Sequence, residues 1–289
     1  MTGCRFLSYT AASSYQRGAP PITNHFSPLS AHFSLFELIP LCFSALIAGF
    51  VDATVGGGGL VQIPALFAIL PARAPAMLLG INKFAAICGT LNASYTYSRR
   101  VRLPLRFMAL VCIVSGLAAV LGAQSARFVA PGLFRLVLPI VLAAILLYTI
   151  KQKTLGTTAS AELIGADTIW KGCLIGGLVG WYDGFLGAGT GTFFIFLFIK
   201  FLRFDFLHAS AAAKLVNVST NLGALILFVI AGDVLWRFAI PMAMANAIGG
   251  IVGARFAILR GNQFIRRLFI FIVVCLLLKT GYDAVRGFG

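Results

Sequence analysis

The chain has 289 residues, of which 60% are hydrophobic and 11% charged, with a mean hydropathy of +0.95. Soluble domains are about 25% charged, so this chain lacks the polar surface to cover itself in water, and lipid is its remaining solvent. The net charge of +15 comes from 23 Lys+Arg against 8 Asp+Glu, but the basic residues cluster in short gaps between apolar runs, as at Arg99, Arg100, Arg102 and Arg106. That pattern orients a polytopic membrane protein and argues against nucleic acid as a partner.

Residues 1–32 hold Arg5 and Arg17, no acid, and several Ser, Pro and Gly. They lack the apolar run of a signal peptide and read as a polar, disordered N-terminal tail. A misplaced start codon and an amphipathic targeting segment are the alternatives. Ten apolar segments follow, over 33–55, 57–70, 76–97, 104–126, 133–150, 168–187, 190–202, 207–231, 234–258 and 264–281. Most are long enough to span a bilayer as helices of about 20 residues. The second and seventh reach only about 20 Å against a hydrocarbon core of about 30 Å. Each follows a glycine cluster, as broken or re-entrant helices do.

The chain repeats itself at a constant offset of 131 residues. Gly49, Asp52, Gly56 and Gly58 recur as Gly180, Asp183, Gly187 and Gly189; Lys83 recurs as Lys214; Arg106 and Phe107 recur as Arg237 and Phe238. We read a duplicated five-segment unit, 33–152 and 168–289, joined by a polar linker at 153–167. If all ten segments cross, the odd-numbered loops carry thirteen basic residues and the even-numbered loops four. The positive-inside rule then predicts ten crossings with both termini extracytoplasmic. Five crossings per unit is odd, so the fold class expected is an all-α polytopic membrane protein of two inverted repeats.

Lys83 and Lys214 stand apart from the basic loops, near the starts of long apolar segments, each 31 residues after an aspartate, Asp52 or Asp183. Ionisable groups inside spans cost at least about 2.5 kcal/mol and are functional candidates by default. The alternative is that each Asp pairs with the Lys of its own repeat to hold the fold. Between them lie Gly56 to Gly59 and the run Gly187, Ala188, Gly189, Thr190, Gly191, Thr192. Helix starts placed there would offer unpaired N–H groups and a positive dipole end to an anion. The candidate binding set is therefore Lys83, Lys214, Asn82, Asn217, Gly57, Gly58, Gly59, Gly189, Thr190 and Gly191. Asp52 and Asp183 are candidates for coupling or for ion pairing. Asn92, Asn221, Thr90, Ser94, Ser219 and Thr220 can donate to an oxyanion or simply bond across helices. Asn246, among Gly249, Gly250 and Gly253, suits packing, and His208 suits a solvated segment edge. The six cysteines form no CxxC pair; the five inside apolar segments read as small buried hydrophobes rather than handlers of a sulfur substrate. No His/Cys/carboxylate cluster, nucleophile elbow or P-loop lysine is visible, so no metal, cofactor or enzymatic activity is expected.

The stretch Gly49 to Pro64 (GFVDATVGGGGLVQIP) with Gly80 to Phe84 (GINKF), Gly89 and Thr90 resembles the first-half signature of the TauE/SafE sulfite exporter family. Trp181 to Gly191 (WYDGFLGAGTG) with Ala211 to Asn217 (AAAKLVN) and Asn221 resembles the second-half signature. Ile81 stands where the family pattern suggests a threonine. The resemblance covers about residues 33–287. It implies a bacterial inner-membrane carrier of small, often sulfur-containing anions such as sulfite, thiosulfate or sulfonates. The partners expected are a small anion and the bilayer; the oligomeric state stays open. The readings that compete with alternating-access transport are an anion channel and a membrane-embedded enzyme or scaffold.

Overall fold

The computed structural model describes residues 35–125, 132–152, 156 and 166–286. The expected tail and most of the expected linker lie outside the described residues. All described secondary structure is helical: α1 Leu35–Val55, α2 Gly59–Ile69, α3 Pro75–Ser98, α4 Leu105–Ser125, α5 Gly132–Lys151, α6 Ala166–Phe185, α7 Thr190–Leu202, α8 Phe206–Ile230 and α9 Trp236–Arg286. Gly261, at φ 72° and ψ −174°, breaks α9 into two helical pieces. That break falls in the gap predicted between 258 and 264, so the ten apolar segments correspond to ten helical pieces. Among the described residues, five helices are long and apolar enough to cross a membrane: α1, α3, α4, α8 and the stretch Trp236–Lys279 of α9. α2 and α7 have 11 and 13 residues, about 16 and 20 Å of helix.

Local chemistry sets several boundaries. Pro75 opens α3 at a position where its missing N–H is not needed. Asp205 caps α8, accepting a hydrogen bond from the His208 backbone N–H at 2.7 Å. α7 stops at Arg203, which turns left-handed with φ 56°.

The described helices from Leu35 onward form one compact unit rather than two separate bodies. α1 packs along α9 and α6 along α4; α3 packs on α9 and α8 on α4; α3 and α8 meet each other. Glycines let these backbones approach closely. A methyl group on Gly122 would sit 1.9 Å from the Trp181 carbonyl oxygen, and one on Gly253 2.6 Å from that of Phe50.

The distribution of polarity is that of a protein dissolved in lipid. Large apolar side chains face outward along α1, α4 and α9, among them Phe43, Ile113, Leu117, Leu121, Ile248 and Val252. The buried set instead contains Asn82, Lys83, Thr90, Asp183, Lys214, Asn217, Asn221 and Asn246. Only a lipid exterior makes that arrangement stable. The chain is a multi-pass membrane protein.

Candidate functional site

Asp52 lies in the last turn of α1 and Asp183 in the last turn of α6. Each helix then breaks at a glycine turn, and the short helix that follows starts with no side-chain cap. Gly56 and Gly57 have φ of 78° and 90°; Gly187 and Gly189 have 75° and 81°. These values require glycine. Ala188 stands where Gly57 stands in the first half, and the left-handed position moves on to Gly189 accordingly.

The two turns pack directly on each other. A methyl group on Gly56 would lie 2.2 Å from the Gly191 carbonyl carbon, and one on Gly59 2.6 Å from the Gly187 carbonyl oxygen. The starts of α2 and α7 therefore meet in the interior. The Leu60 and Val61 N–H groups bond back to the Gly57 and Gly58 carbonyls, and the Thr192 N–H to that of Gly189. The N–H groups left to a guest are therefore the earliest ones, at Gly59 and at Thr190 and Gly191, where the helix dipoles place partial positive charge.

The lysines pair across the two halves of the chain, not within them. Lys83 Nζ lies 3.0 Å from Asp183 Oδ1, and Lys214 Nζ lies 2.9 Å from Asp52 Oδ2. This corrects the within-repeat pairing expected as the structural alternative. The reason is topological: α3 and α8 bring each lysine to the opposite half's aspartate, because the two glycine turns abut at the centre. Each half thus supplies one member of both pairs. The four charges sum to zero.

A small cavity of about 20 Å³ lies at this junction, with room for a water molecule or so. Of the candidate residues, Asp52, Gly57, Gly58, Gly59, Asn82, Asp183, Thr190, Gly191 and Asn217 line it. Lys83, Lys214 and Gly189 do not; the lysines are 1% and 0% exposed and sit behind the carboxylates that hold them. Four buried side-chain atoms of the wall have no partner: Asn82 Oδ1, Asn217 Oδ1, Asp183 Oδ2 and Gln62 Nε2. A buried polar group left unpaired costs about 1–3 kcal/mol. The wall therefore offers both donors and acceptors to a polar guest.

Gln62 escaped the sequence reading as a site residue. It is 1% exposed, lines the cavity, accepts a hydrogen bond at 2.9 Å from Asn246 Nδ2, and has a buried amide nitrogen with no partner. Its signal was a lone amide one turn after Gly59 in an otherwise apolar helix. Asn246 belongs to the wall as well as to the packing, and Thr90 and Asn221 line it too. Asn92 does not: its amide bonds back to the Cys88 carbonyl at 2.8 Å. His208 is not simply solvated, since its Nδ1 lies 2.9 Å from Asp205 Oδ1. No described cysteine lines the cavity, and among the described residues no group of three His, Cys, Asp or Glu could hold a metal.

Comparison with known proteins agrees with this architecture. The family model described as Sulfite exporter TauE/SafE matches residues 41–280. The chain is 33% identical over 249 residues to "Probable membrane transporter protein ORF9" of Sinorhizobium sp, covering 86% of this chain and 94% of that protein. It is 32% identical over 257 residues to "Probable membrane transporter protein YfcA" of Escherichia coli K12, covering 87% and 94%. A Haemophilus influenzae "Probable membrane transporter protein" is 32% identical over 248 residues, covering 86% and 96%. No solved structure matches. The family model spans both glycine turns, both lysines and both aspartates, and the chain belongs to the Sulfite exporter TauE/SafE family.

Proposed function

We propose that this protein is a secondary transporter of small anions, sulfur oxyanions or sulfonates, that works by alternating access between two inverted halves in the bacterial inner membrane. One observation carries the reading: two uncapped helix starts meet at a buried cavity whose wall is backed by two cross-paired lysines. An anion there would accept N–H bonds from the starts of α2 and α7, the Thr190 backbone N–H among them, with the amides of Asn82, Asn217 and Gln62 fixing its orientation, while the Thr190 hydroxyl stays on Asp183. The lysines supply positive potential from behind the carboxylates. Family membership and the printed names of the relatives support transport.

The reading of two symmetry-related halves has support in the packing. Gly122 against Trp181 corresponds, at the 131-residue offset, to Gly253 against Phe50, and Gly49 against Asn246 corresponds to Gly180 against Ser115. Equivalent helices thus make equivalent contacts across the middle of the molecule. Two halves that share both ion pairs can rock about the centre while exposing the cavity to each side in turn.

The test is a thermal-shift screen of purified protein with sulfite, thiosulfate, sulfate, taurine, sulfoacetate and carboxylates, followed by counterflow in proteoliposomes with the best ligand. A ligand at 100 times its Kd stabilises the folded state by about 2.7 kcal/mol, which a melting curve resolves. Saturation with counterflow identifies a carrier. Conduction without counterflow would establish the channel instead, and turnover of a ligand would establish an enzyme.

A further inference from the structure

The two ion pairs correspond in sequence, yet they are built differently. At Asp183 the closing bond of α6 reaches back one residue further than usual: the Gly187 N–H donates to the Tyr182 carbonyl at 3.2 Å. That frees the Asp183 carbonyl, which accepts a second bond from Lys83 at 2.6 Å. Thr190 adds a hydroxyl donor to Asp183 Oδ1 at 2.8 Å. At Asp52 the Gly56 N–H takes the Asp52 carbonyl instead, at 2.9 Å. Lys214 therefore has Asp52 Oδ2 alone, and Gly59 stands where the first half would need a hydroxyl. The Asp183 side chain is 4% exposed and the Asp52 side chain 16%.

We propose that the pairs have divided the work: Lys83–Asp183 is a fixed clamp between the halves, and Asp52–Lys214 is the pair that opens, with Asp52 taking up a proton as an anion binds. The inference rests on the anion-carrier reading and assigns the coupling residue within it. With both pairs intact the site is neutral and offers an anion only dipoles. One proton from water on the Asp52 carboxylate gives a neutral carboxyl, leaves Lys214 as the ammonium, and makes the site +1. The anion then restores neutrality, so anion and proton load together. The same proton on Asp183 would have to displace a lysine held by two bonds and a carboxylate held by a hydroxyl.

Asp52 faces Lys214 from α8 and Tyr97 from α3, whose hydroxyl donates to the Ala53 carbonyl at 2.9 Å. Across the cavity stands the Lys83–Asp183 pair. α2 has no titratable residue, the one on α7 is Lys200 in its last turn, and α9 packs on α1 with Gly249, Gly253 and Asn246 while Arg255 is exposed. Asp52 is thus the carboxylate with the loosest hold and the most access to water.

The experiment uses the full chain in detergent with methanesulfonate, whose charge is constant from pH 5 to 8. Melting temperatures are recorded across that range, with and without the anion, for the parent, D52N, D183N and the double variant K83M/D183N, which removes the clamp without stranding a charge. The expected result is anion affinity that tightens at least about fivefold as pH falls in the parent and stays flat in D52N. K83M/D183N melts at lower temperature and binds the anion more weakly at every pH, but its affinity keeps the parent's pH dependence. Without anion, the parent and K83M/D183N should share a pH-dependent component of melting that D52N lacks. That second readout tests the assignment even if methanesulfonate binds to none of them, which would count against the carrier reading alone. Equal behaviour of D52N and D183N, a slope lost with Asp183 rather than Asp52, or affinity that follows sodium instead of pH overturns the proposal. If D52N does not fold, Asp52→Glu must shift the midpoint of the apo profile, and Asp183→Glu must not.

Discussion

Lys83 and Lys214 hold equivalent sequence positions, but replacing them should have different consequences. Lys214→Met keeps the apolar stem and removes a charge that contributes to anion binding. Once Asp52 is protonated the freed ammonium can reach the anion, and charge-assisted hydrogen bonds are worth about 1.5–3 kcal/mol, so affinity should fall roughly 10- to 150-fold. The Asp52 left behind has 16% of its side chain exposed and can take a proton, so the protein should still fold. Lys83→Met strands Asp183, one oxygen of which is already unpaired. Removing one member of a buried pair costs about 3–5 kcal/mol, so this variant should show as lost folded protein in a melting curve or size-exclusion profile. Lys214→Arg should restore charge without restoring affinity, because a planar guanidinium fork does not fit a slot built for an ammonium. Equal affinity for the parent and Lys214→Met would remove that lysine from the site. Gln62→Leu tests the wall directly: losing one amide donor should weaken binding by roughly 2- to 12-fold, measured by the same ligand titration.

Among the elements, the glycine turns are the least forgiving. At Gly56 the backbone is left-handed, and an added methyl would overlap the Gly191 backbone. Gly56→Ala combines strain with a clash against a neighbour that cannot move without separating α2 from α7, and no folded protein should be recovered. Gly232 has φ 75° but nothing within 4 Å of an added methyl, so Gly232→Ala should cost only backbone strain, about 1–3 kcal/mol. Comparing the two melting curves separates strain from contact. At the start of α8, Asp205→Ala removes a cap worth about 1 kcal/mol. Burial pushes the Asp205 carboxyl up, but the hydrogen bonds from His208 and Asn262, with the His208 charge, outweigh it and hold the group below its usual range. A lowered native value means the stabilisation is fully present above the ordinary carboxylate pKa of about 3.9 and is lost as pH falls through the native one. Acid melting curves of D205A should lack that loss.

The elements were legible because hydropathy and helix length are local properties. The predicted segments coincide with the helices to within about two residues at most ends, and even the gap around Gly261 was visible as a break in apolarity. The glycine-rich helix starts were legible for the same reason. Pairing was not. Lys83 lies 31 residues from Asp52 in sequence and 100 from Asp183, yet it bonds the latter, because the choice of partner depends on how two helix breaks meet in space. Gln62 was missed because a single amide carries no pattern until Asn246, 184 residues away, is placed beside it.

At the scale of the whole molecule, the number of crossings decides how the two halves are related. α2 and α7 span about 16 and 20 Å, and both begin at the central junction rather than at a membrane surface. If they nevertheless complete crossings with the flanking turns, each half crosses five times and the halves are inverted. The basic residues favour this: thirteen, including Arg99, Arg100, Arg102, Lys151, Lys153, Lys200, Arg203, Arg260 and Arg267, then fall on one side against four on the other. If the short helices re-enter instead, each half crosses four times, the halves run parallel, and the basic residues divide almost evenly. Two reporter fusions distinguish these cases. One follows Gln152, between α5 and α6; the other is at the C-terminus. Five intervening crossings put them on opposite sides, with the C-terminus extracytoplasmic and the fusion after Gln152 cytoplasmic. Four put them on the same side. The expected outcome is opposite sides, because parallel halves would leave thirteen basic residues without a consistent leaflet. Reporters on the same side would end the inverted-repeat account. The cross-paired lysines would then join parallel halves about an axis along the membrane normal, and the cavity would need some route to each surface other than rocking.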